Sequence, residues 1–172
     1  MIRRIAIVGP ESTGKSLLSA QLAAHFAAPW VPEHAREYLT RLGRPYAEAD
    51  LLEIARGQLA LEAEMEQQAA GWLFCDTNLL VIKVWSEYKY GRCHPEILQR
   101  MALDRYALHL LADIDLPWED DPLREHPHRR AELFGIYHAE LRQSGLPAAV
   151  VRGLGEERLQ SALEALRLHG LC

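Results

Sequence analysis

GPESTGKS, residues 9–16, is the stretch whose reading decides the fold. It lies between Arg4, Ile5, Ala6, Ile7 and Val8, an apolar run that reads as a short buried strand, and Leu17, Leu18, Gln21, Leu22 and His25, which recur at amphipathic-helix spacing. Gly9, Gly14, Lys15 and Ser16 fill every fixed position of the phosphate-loop pattern G-x-x-x-x-G-K-[ST]. Glycines let the backbone curl until its N–H groups point inward at an anion, and the following helix adds its positive N-terminal end. Pro10, Glu11, Ser12 and Thr13 complete the nucleotide-binding loop, with Leu17 directly after it. Lys15 is expected at the β- and γ-phosphates, and the Ser16 hydroxyl on Mg²⁺. A glycine-rich turn that merely precedes a helix is the bland alternative, and the strand on one side and helix on the other argue against it. The expected ligands are a nucleoside triphosphate and Mg²⁺.

The 172-residue length suits one domain able to bury a substantial core. Hydrophobic residues make up 49% and charged residues 25%, and the net charge of −5 argues against a broad nucleic-acid surface. No apolar run has the length of a membrane span, and the first strand begins so early that no signal peptide is expected. Cys75, Cys93 and Cys172 are odd in number and far apart, which disfavours a disulfide framework and points to the reducing cytoplasm. The expected partner is a small-molecule substrate, with neither nucleic acid nor membrane; a homo-oligomer is left open.

Strand and helix patterns alternate along the chain. A short strand at 29–32 precedes a helix over 34–42, and Leu51, Leu52, Ala55, Leu59 and Ala63 mark a long helix after Pro45. WLFCD (72–76) reads as a buried strand ending on a carboxylate, followed by a helix over 79–90. YALHLLADID (106–115) reads as a strand ending in acids, AAVVRG (148–153) as the last strand, with helices around Phe134–Leu141 and Leu159–Leu166. The segment 116–127 carries Pro117, Pro122 and Pro127 and can be neither helix nor central strand. The predicted class is α/β: a P-loop NTPase fold with a parallel sheet of about five strands, helices on both faces and a short lid over roughly 116–130, as in nucleoside and nucleotide kinases. Ligands in such a sheet sit at the carboxyl ends of the strands.

Asp76 ends its strand beside the phosphate loop, where a carboxylate can hold Mg²⁺; capping the next helix is the structural alternative. Glu33 ends the second strand, where a carboxylate can deprotonate an acceptor hydroxyl, with Arg36 on the same helical turn; a first-turn acid stabilised by the helix dipole is the competing reading. Arg124 lies in the proline-rich lid, with Arg129 and Arg130 beyond it, and can neutralise the transferring phosphoryl group. Asp120 and Asp121 in the same segment suit a cationic acceptor. Trp30, Tyr38, Trp85, Tyr88, Tyr90 and Trp118 fall near strand ends and could stack on a flat ring, although aromatics in a small domain are more often core. His109 reads as a core histidine, and neither Cys93 with His94 nor His169 with Cys172 has a second metal-binding pair.

GPESTGKS, VPEHAREYL, FCDTNLLVIKVWSEYKYG and PWEDDPLREHP together resemble the ribosylnicotinamide kinase domain of the NadR family, a P-loop kinase with an AAA-like ATPase domain. The resemblance runs from residue 3 to about 150. It implies transfer of the ATP γ-phosphoryl group to the 5′-hydroxyl of nicotinamide riboside, giving nicotinamide mononucleotide for NAD biosynthesis. It carries over to Gly9–Ser16, Glu33, Arg36, Asp76 and the lid; with the residue reading, the expected catalytic residues are Lys15, Glu33, Asp76 and Arg124, and those expected around the acceptor are Trp30, Glu33, Arg36, Tyr38, Trp85, Trp118 and Asp120. The pyridinium cation of that substrate would account for the gathered acids and aromatics. The nearest alternative is a P-loop kinase for another nucleoside or a vitamin alcohol. A regulatory nucleotide-binding ATPase is the second, although the chain shows no guanine-reading Asn/Thr-Lys-x-Asp motif.

Overall fold

The computed structural model describes residues 1–172. Its strands are β1 (Arg3–Val8), β2 (Trp30–Val31), β3 (Trp72–Asp76), β4 (Leu108–Ala112) and β5 (Ala148–Val151). The helices are α1 (Lys15–His25), α2 (His34–Leu42), α3 (Glu48–Glu66), α4 (Leu79–Tyr90), α5 (Pro95–Leu103), α6 (Arg130–Gln143) and α7 (Glu156–Leu168). All five strands are parallel in the order β2-β3-β1-β4-β5, the P-loop NTPase kinase architecture expected from the sequence.

Alternation along β1 builds both layers of the core. Ile5 and Ile7 face α1 and α7, where they pack with Leu18, Leu22, Phe74, Leu110, Ala162 and Leu166. Ala6 and Val8 face the other way, against Leu80 and Val84 of α4 and Leu133, Tyr137 and Leu141 of α6. Successive strand residues point to opposite faces, so a strand buried on both sides must be apolar throughout, as residues 5–8 are. A third cluster joins α2 and α3 to α4 and α5 through Ala35, Leu51, Ile54, Leu79, Ile82 and Ile97.

β1 is flanked by β3 and β4, which the chain reaches on opposite sides. The phosphate loop therefore emerges at a topological switch point, where a crevice opens at the strand ends.

Two expectations need correction. The strand expected over 106–115 is confined to β4, because pairing to β1 and β5 spans only Leu108–Ala112. Tyr106 instead bonds the carboxylate of Glu62, at 2.8 Å to Oε2, and Asp113 and Asp115 lie beyond the ladder. The second correction is α5, which the sequence reading left out. Pro95 stands in its first turn, and the His94 ring nitrogen accepts the Glu96 N–H at 3.2 Å. Proline is favoured there because its missing N–H would have been unpaired anyway.

Gly9, at φ 135°, opens the phosphate loop where only glycine is comfortable, and a Cβ there would meet the Ala112 carbonyl oxygen at 3.0 Å. That oxygen belongs to the backbone of a buried strand and cannot step aside. Gly9→Ala should lower the unfolding free energy by about 1–3 kcal/mol. The measurement is urea denaturation, read as a shift in midpoint at constant slope; an unchanged midpoint would contradict the close packing of loop on β4.

Candidate active site

β1 ends in the loop 9–14, whose backbone turns through positive φ at Gly9, Ser12 and Gly14 before α1 begins at Lys15. The Thr13 hydroxyl donates to the Pro10 carbonyl at 2.8 Å and ties the loop across itself. Lys15 Nζ donates to the same carbonyl, also at 2.8 Å. The Ser16 hydroxyl donates to Asp76 Oδ2.

The register pairs Asp76 with Ile7, so the last residue of β3 comes up beside the root of the loop. Asp76 is 1% exposed, and its Oδ1 is buried without a hydrogen-bond partner. Burial, with the negative charge of Glu33 nearby, pushes its carboxyl up to about 6, while Lys15 and the Ser16 hydrogen bond pull the other way. The residues fit a magnesium ion: a buried carboxylate with one oxygen free and a hydroxyl beside it are hard oxygen donors. Mg²⁺ is usually held by one or two carboxylates together with phosphate oxygens, not by an all-protein cage. The capping alternative for Asp76 does not hold, since Asn78 is the N-cap of α4 and accepts the Leu80 N–H at 3.1 Å.

The loop opens onto a cavity of about 430 Å³ lined by residues 9–17, by Glu33, Arg36 and Leu39 of the β2–α2 region, by Val81, Val84, Trp85 and Tyr88 of α4, by Leu133 and Tyr137 of α6, and by lid residues including Glu119 and 123–126. Glu33 stands at the N-cap of α2 but makes no capping hydrogen bond. Trp85 Nε1 donates to the Tyr46 hydroxyl at 2.7 Å, and that hydroxyl donates to Glu125 Oε2 at 2.6 Å. Tyr88 meets the His126 ring edge-on at 5.1 Å. One wall is thus aromatic and apolar, and the other is the phosphate loop.

Segment 116–127 lies across the loop and is bonded to it. Glu11 accepts the backbone N–H of Glu125 at 3.1 Å and of His126 at 3.0 Å. Ser12 Oγ accepts the Glu119 N–H at 2.9 Å. Arg130 donates to the carbonyls of Ser12 at 3.1 Å and Leu116 at 2.8 Å. Arg124 donates to the Glu119 carbonyl and reaches Ser12 Oγ at 3.4 Å.

The fold therefore brings together Gly9, Pro10, Glu11, Ser12, Thr13, Gly14, Lys15, Ser16, Leu17, Glu33, Arg36, Trp85 and Arg124 around one cavity, with Asp76 directly beneath. Four expected acceptor residues do not line it. Trp30 packs onto the apolar cluster between α1 and the sheet. Tyr38 donates to Asp50 Oδ1 at 2.8 Å and packs between α2 and α3. Trp118 donates to Asp120 Oδ1 at 2.8 Å, so these two satisfy each other within the lid. The Trp118 ring lies over Arg124 and Arg130 at 5.9 and 5.8 Å. Sequence reasoning passed over Leu39, Val81, Val84, Leu133 and Tyr137, which in sequence look like any other core positions. It also passed over Tyr46, Glu125 and His126, whose pairing depends on where the lid lies.

A parallel sheet with a phosphate loop at its switch point and a strapped lid defines a P-loop kinase fold. The chain belongs to the AAA domain family: the family model AAA_28, described as an AAA domain, matches residues 4–158. It is similar to the trifunctional NAD biosynthesis/regulator protein NadR of Escherichia coli (strain K12), 29% identical over 129 residues, or 72% of this chain and 31% of that protein. The chain thus spans about a third of the length of that curated relative. NadR solved in complex with NAD and AMP-PNP matches with a TM-score of 0.80 at 21% identity, covering 99% of this chain and 50% of that one. NadR solved in complex with NR matches with a TM-score of 0.80 at 23% identity, covering 98% of this chain and 51% of that one. The likeness to the NadR family read from the sequence blocks is thus matched in curated sequence and in fold.

Asp76 generates a pH prediction. A carboxyl whose folded pKa is raised keeps its proton while the unfolded chain loses it, so stability falls as pH rises from about 4 to about 6 and the loss persists at neutral pH. Asp76→Asn should therefore stabilise the protein at pH 7.5, without nucleotide or metal, by on the order of 3 kcal/mol at most. The gain should shrink as pH falls from about 6 to about 4 and the wild-type carboxyl protonates. Denaturation midpoints across pH 4–8 measure it, and no gain at neutral pH would mean that the buried charge is better compensated than its surroundings indicate.

Proposed function

We propose that this chain is a kinase that transfers the γ-phosphoryl group of ATP to the 5′-hydroxyl of nicotinamide riboside, giving nicotinamide mononucleotide. The observation that carries the reading is the placing of Glu33 and Asp76 at adjacent strand ends, beside Lys15 and Ser16, on a cavity walled by Trp85 and Tyr88. The NadR structures support it, because one holds NR and the other AMP-PNP with NAD. The cavity lies within the range of small-ligand sites, and its apolar wall with few polar groups suits a nucleoside.

In this reading Lys15 exchanges the Pro10 carbonyl for the γ-phosphate, and the loop N–H groups hold the β-phosphate. Ser16 and Asp76 would hold Mg²⁺, which when bound neutralises charge on the phosphates. Glu33 accepts the proton of the acceptor hydroxyl. The freed oxygen forms a bond to the γ-phosphorus while the bond to the β,γ-bridging oxygen breaks, and ADP leaves with that electron pair. Arg124, carried by the lid, neutralises charge on the transferring group. Arg36 lines the wall beside Glu33, with its guanidinium held by Asp121 at 2.9 Å. Trp85 and Tyr88 flank the pyridinium ring, a contact that favours a cation.

Replacing Lys15 by Ala should lower kcat by about 10²–10³-fold or more while leaving the fold intact, because the side chain acts on phosphate charge and not in the core. Initial rates with nicotinamide riboside, its reduced form, adenosine, thymidine and thiamine, with product masses confirmed, test the acceptor. A higher kcat/KM for any other member of the panel would reassign it.

Glu33→Gln keeps the size of the side chain and removes its basicity. kcat should drop by about 10²–10⁴-fold with nucleotide affinity little changed. Full activity in this variant would remove Glu33 as the base, leaving Asp76 in that role or an acceptor that needs none.

A further inference from the structure

Glu33 occupies the N-cap of α2 in extended backbone geometry, yet its side chain makes no capping hydrogen bond. An N-cap side chain normally accepts the N–H of the second or third helical residue, and the N–H groups of the first turn are otherwise unpaired. Here the first of them, the His34 N–H, goes to Gln58 Oε1 at 2.9 Å, across to α3. Gln58 is 1% exposed, and its amide nitrogen finds no partner. A buried glutamine with half its polar capacity unmet is a poor choice for packing alone, where leucine or methionine would serve better.

The two helices are also docked without slack. A Cβ on Gly57 would meet His34 Nε2 at 2.0 Å, so the imidazole lies where a side chain on α3 would otherwise stand. Farther along α2, Tyr38 bonds Asp50 at 2.8 Å, and Arg44 bonds the same carboxylate at 2.8 Å. Contacts at His34 and Tyr38 thereby hold α2 against α3.

We propose that Gln58 is a positioning residue for Glu33: by holding the His34 N–H, Gln58 fixes the backbone directly after Glu33 and so sets where its carboxylate faces the acceptor hydroxyl. Gly57 and His34 set the helix spacing at which that bond forms. This rests on the reading of Glu33 as the base. The bond acts on where the carboxylate sits and not on nucleotide binding, so its loss appears in kcat for the acceptor and spares KM for ATP.

The test is a double-mutant cycle with nicotinamide riboside and ATP, on protein shown to be folded by its circular dichroism and melting transition. Gln58→Met keeps bulk without the accepting oxygen, and should lower kcat by about 10²-fold, the scale of a misplaced catalytic group, with KM for ATP within about twofold. Gln58→Glu keeps the acceptor and should retain kcat within about threefold. In the Glu33→Gln background, Gln58→Met should cost less than about threefold, because the group it positions is already gone. His34→Pro provides a second route if Gln58→Met does not fold: proline is tolerated at the first helical position and has no N–H to donate, and the same loss of kcat is expected. Equal losses from Gln58→Met in both backgrounds, or a folded Gln58→Met or His34→Pro of wild-type kcat, would overturn the proposal while leaving Glu33 as base. Unchanged kcat in Glu33→Gln alone would remove the base assignment, and the role of Gln58 with it.

Discussion

The bond between Ser16 and Asp76 joins the start of α1 to the end of β3 at a carboxylate that is 1% exposed. Burying a carboxylate costs several kcal/mol unless it is paired and hydrogen-bonded, and Asp76 has one hydroxyl donor and a lysine nearby. The strand order decides that it must be there. β3 lies between β2 and β1, so the residue closing β3 falls between Glu33, which follows β2, and the phosphate loop, which follows β1. The neighbouring Thr77 N–H bonds the Ile7 carbonyl at 3.0 Å and locks the register. On the proposed reading, the stability given up at Asp76 is the counterpart of a site arranged to take a cation and phosphate together.

Three cations surround the loop, and each is held by neutral acceptors. Lys15 is on the Pro10 carbonyl, Arg130 on the carbonyls of Ser12 and Leu116, and Arg124 on the Glu119 carbonyl and Ser12 hydroxyl. A carbonyl or hydroxyl orients a cation without cancelling its charge, so each of the three keeps its charge for an anion. The basic residues farther out are treated differently: Arg36 meets Asp121 at 2.9 Å and Lys89 meets Glu125 at 3.1 Å. Glu11 is the exception within the loop. Its carboxylate accepts lid N–H groups and so points away from the phosphate position, toward the strap that covers it.

Much of this could be read along the chain because the decisive features are local. The apolar run before Gly9 can only be a strand buried on both faces, and Gly9, Gly14, Lys15 and Ser16 fix the turn that follows. The end of WLFCD at Asp76 was equally plain, since a carboxylate after four buried residues marks where the strand leaves the sheet. The aromatic residues were harder, because a ring's environment depends on helix rotation and not on its distance from a strand end. Trp85 on α4 faces the cavity, whereas Trp30 turns into the α1 layer and Tyr38 toward α3. The lid was legible as a segment through its prolines but not in its pairings. Trp118 with Asp120 and Glu11 with residues 125 and 126 arise only once the segment folds back over the loop.

A carboxylate after a strand is common in this sheet, and what separates its members is the partner each one finds. Asp113 and Asp115 follow β4 just as Asp76 ends β3 and Glu33 follows β2. Asp113 meets Arg152 at 2.8 Å, which holds its carboxyl below the usual range despite partial burial. Asp115 takes Arg158 through one oxygen and the Gly153 N–H at 2.6 Å through the other, so both acids are taken up in fastening β5 and α7 to β4. Asp76 keeps one oxygen without a partner, and Glu33 makes no capping hydrogen bond. An acid already bonded to an arginine has its charge neutralised and its lone pairs occupied, so it is a weak base and a poor metal ligand. Position relative to the strand selects four acids at this edge, and hydrogen bonding then divides them into two that hold the fold together and two that remain available for chemistry.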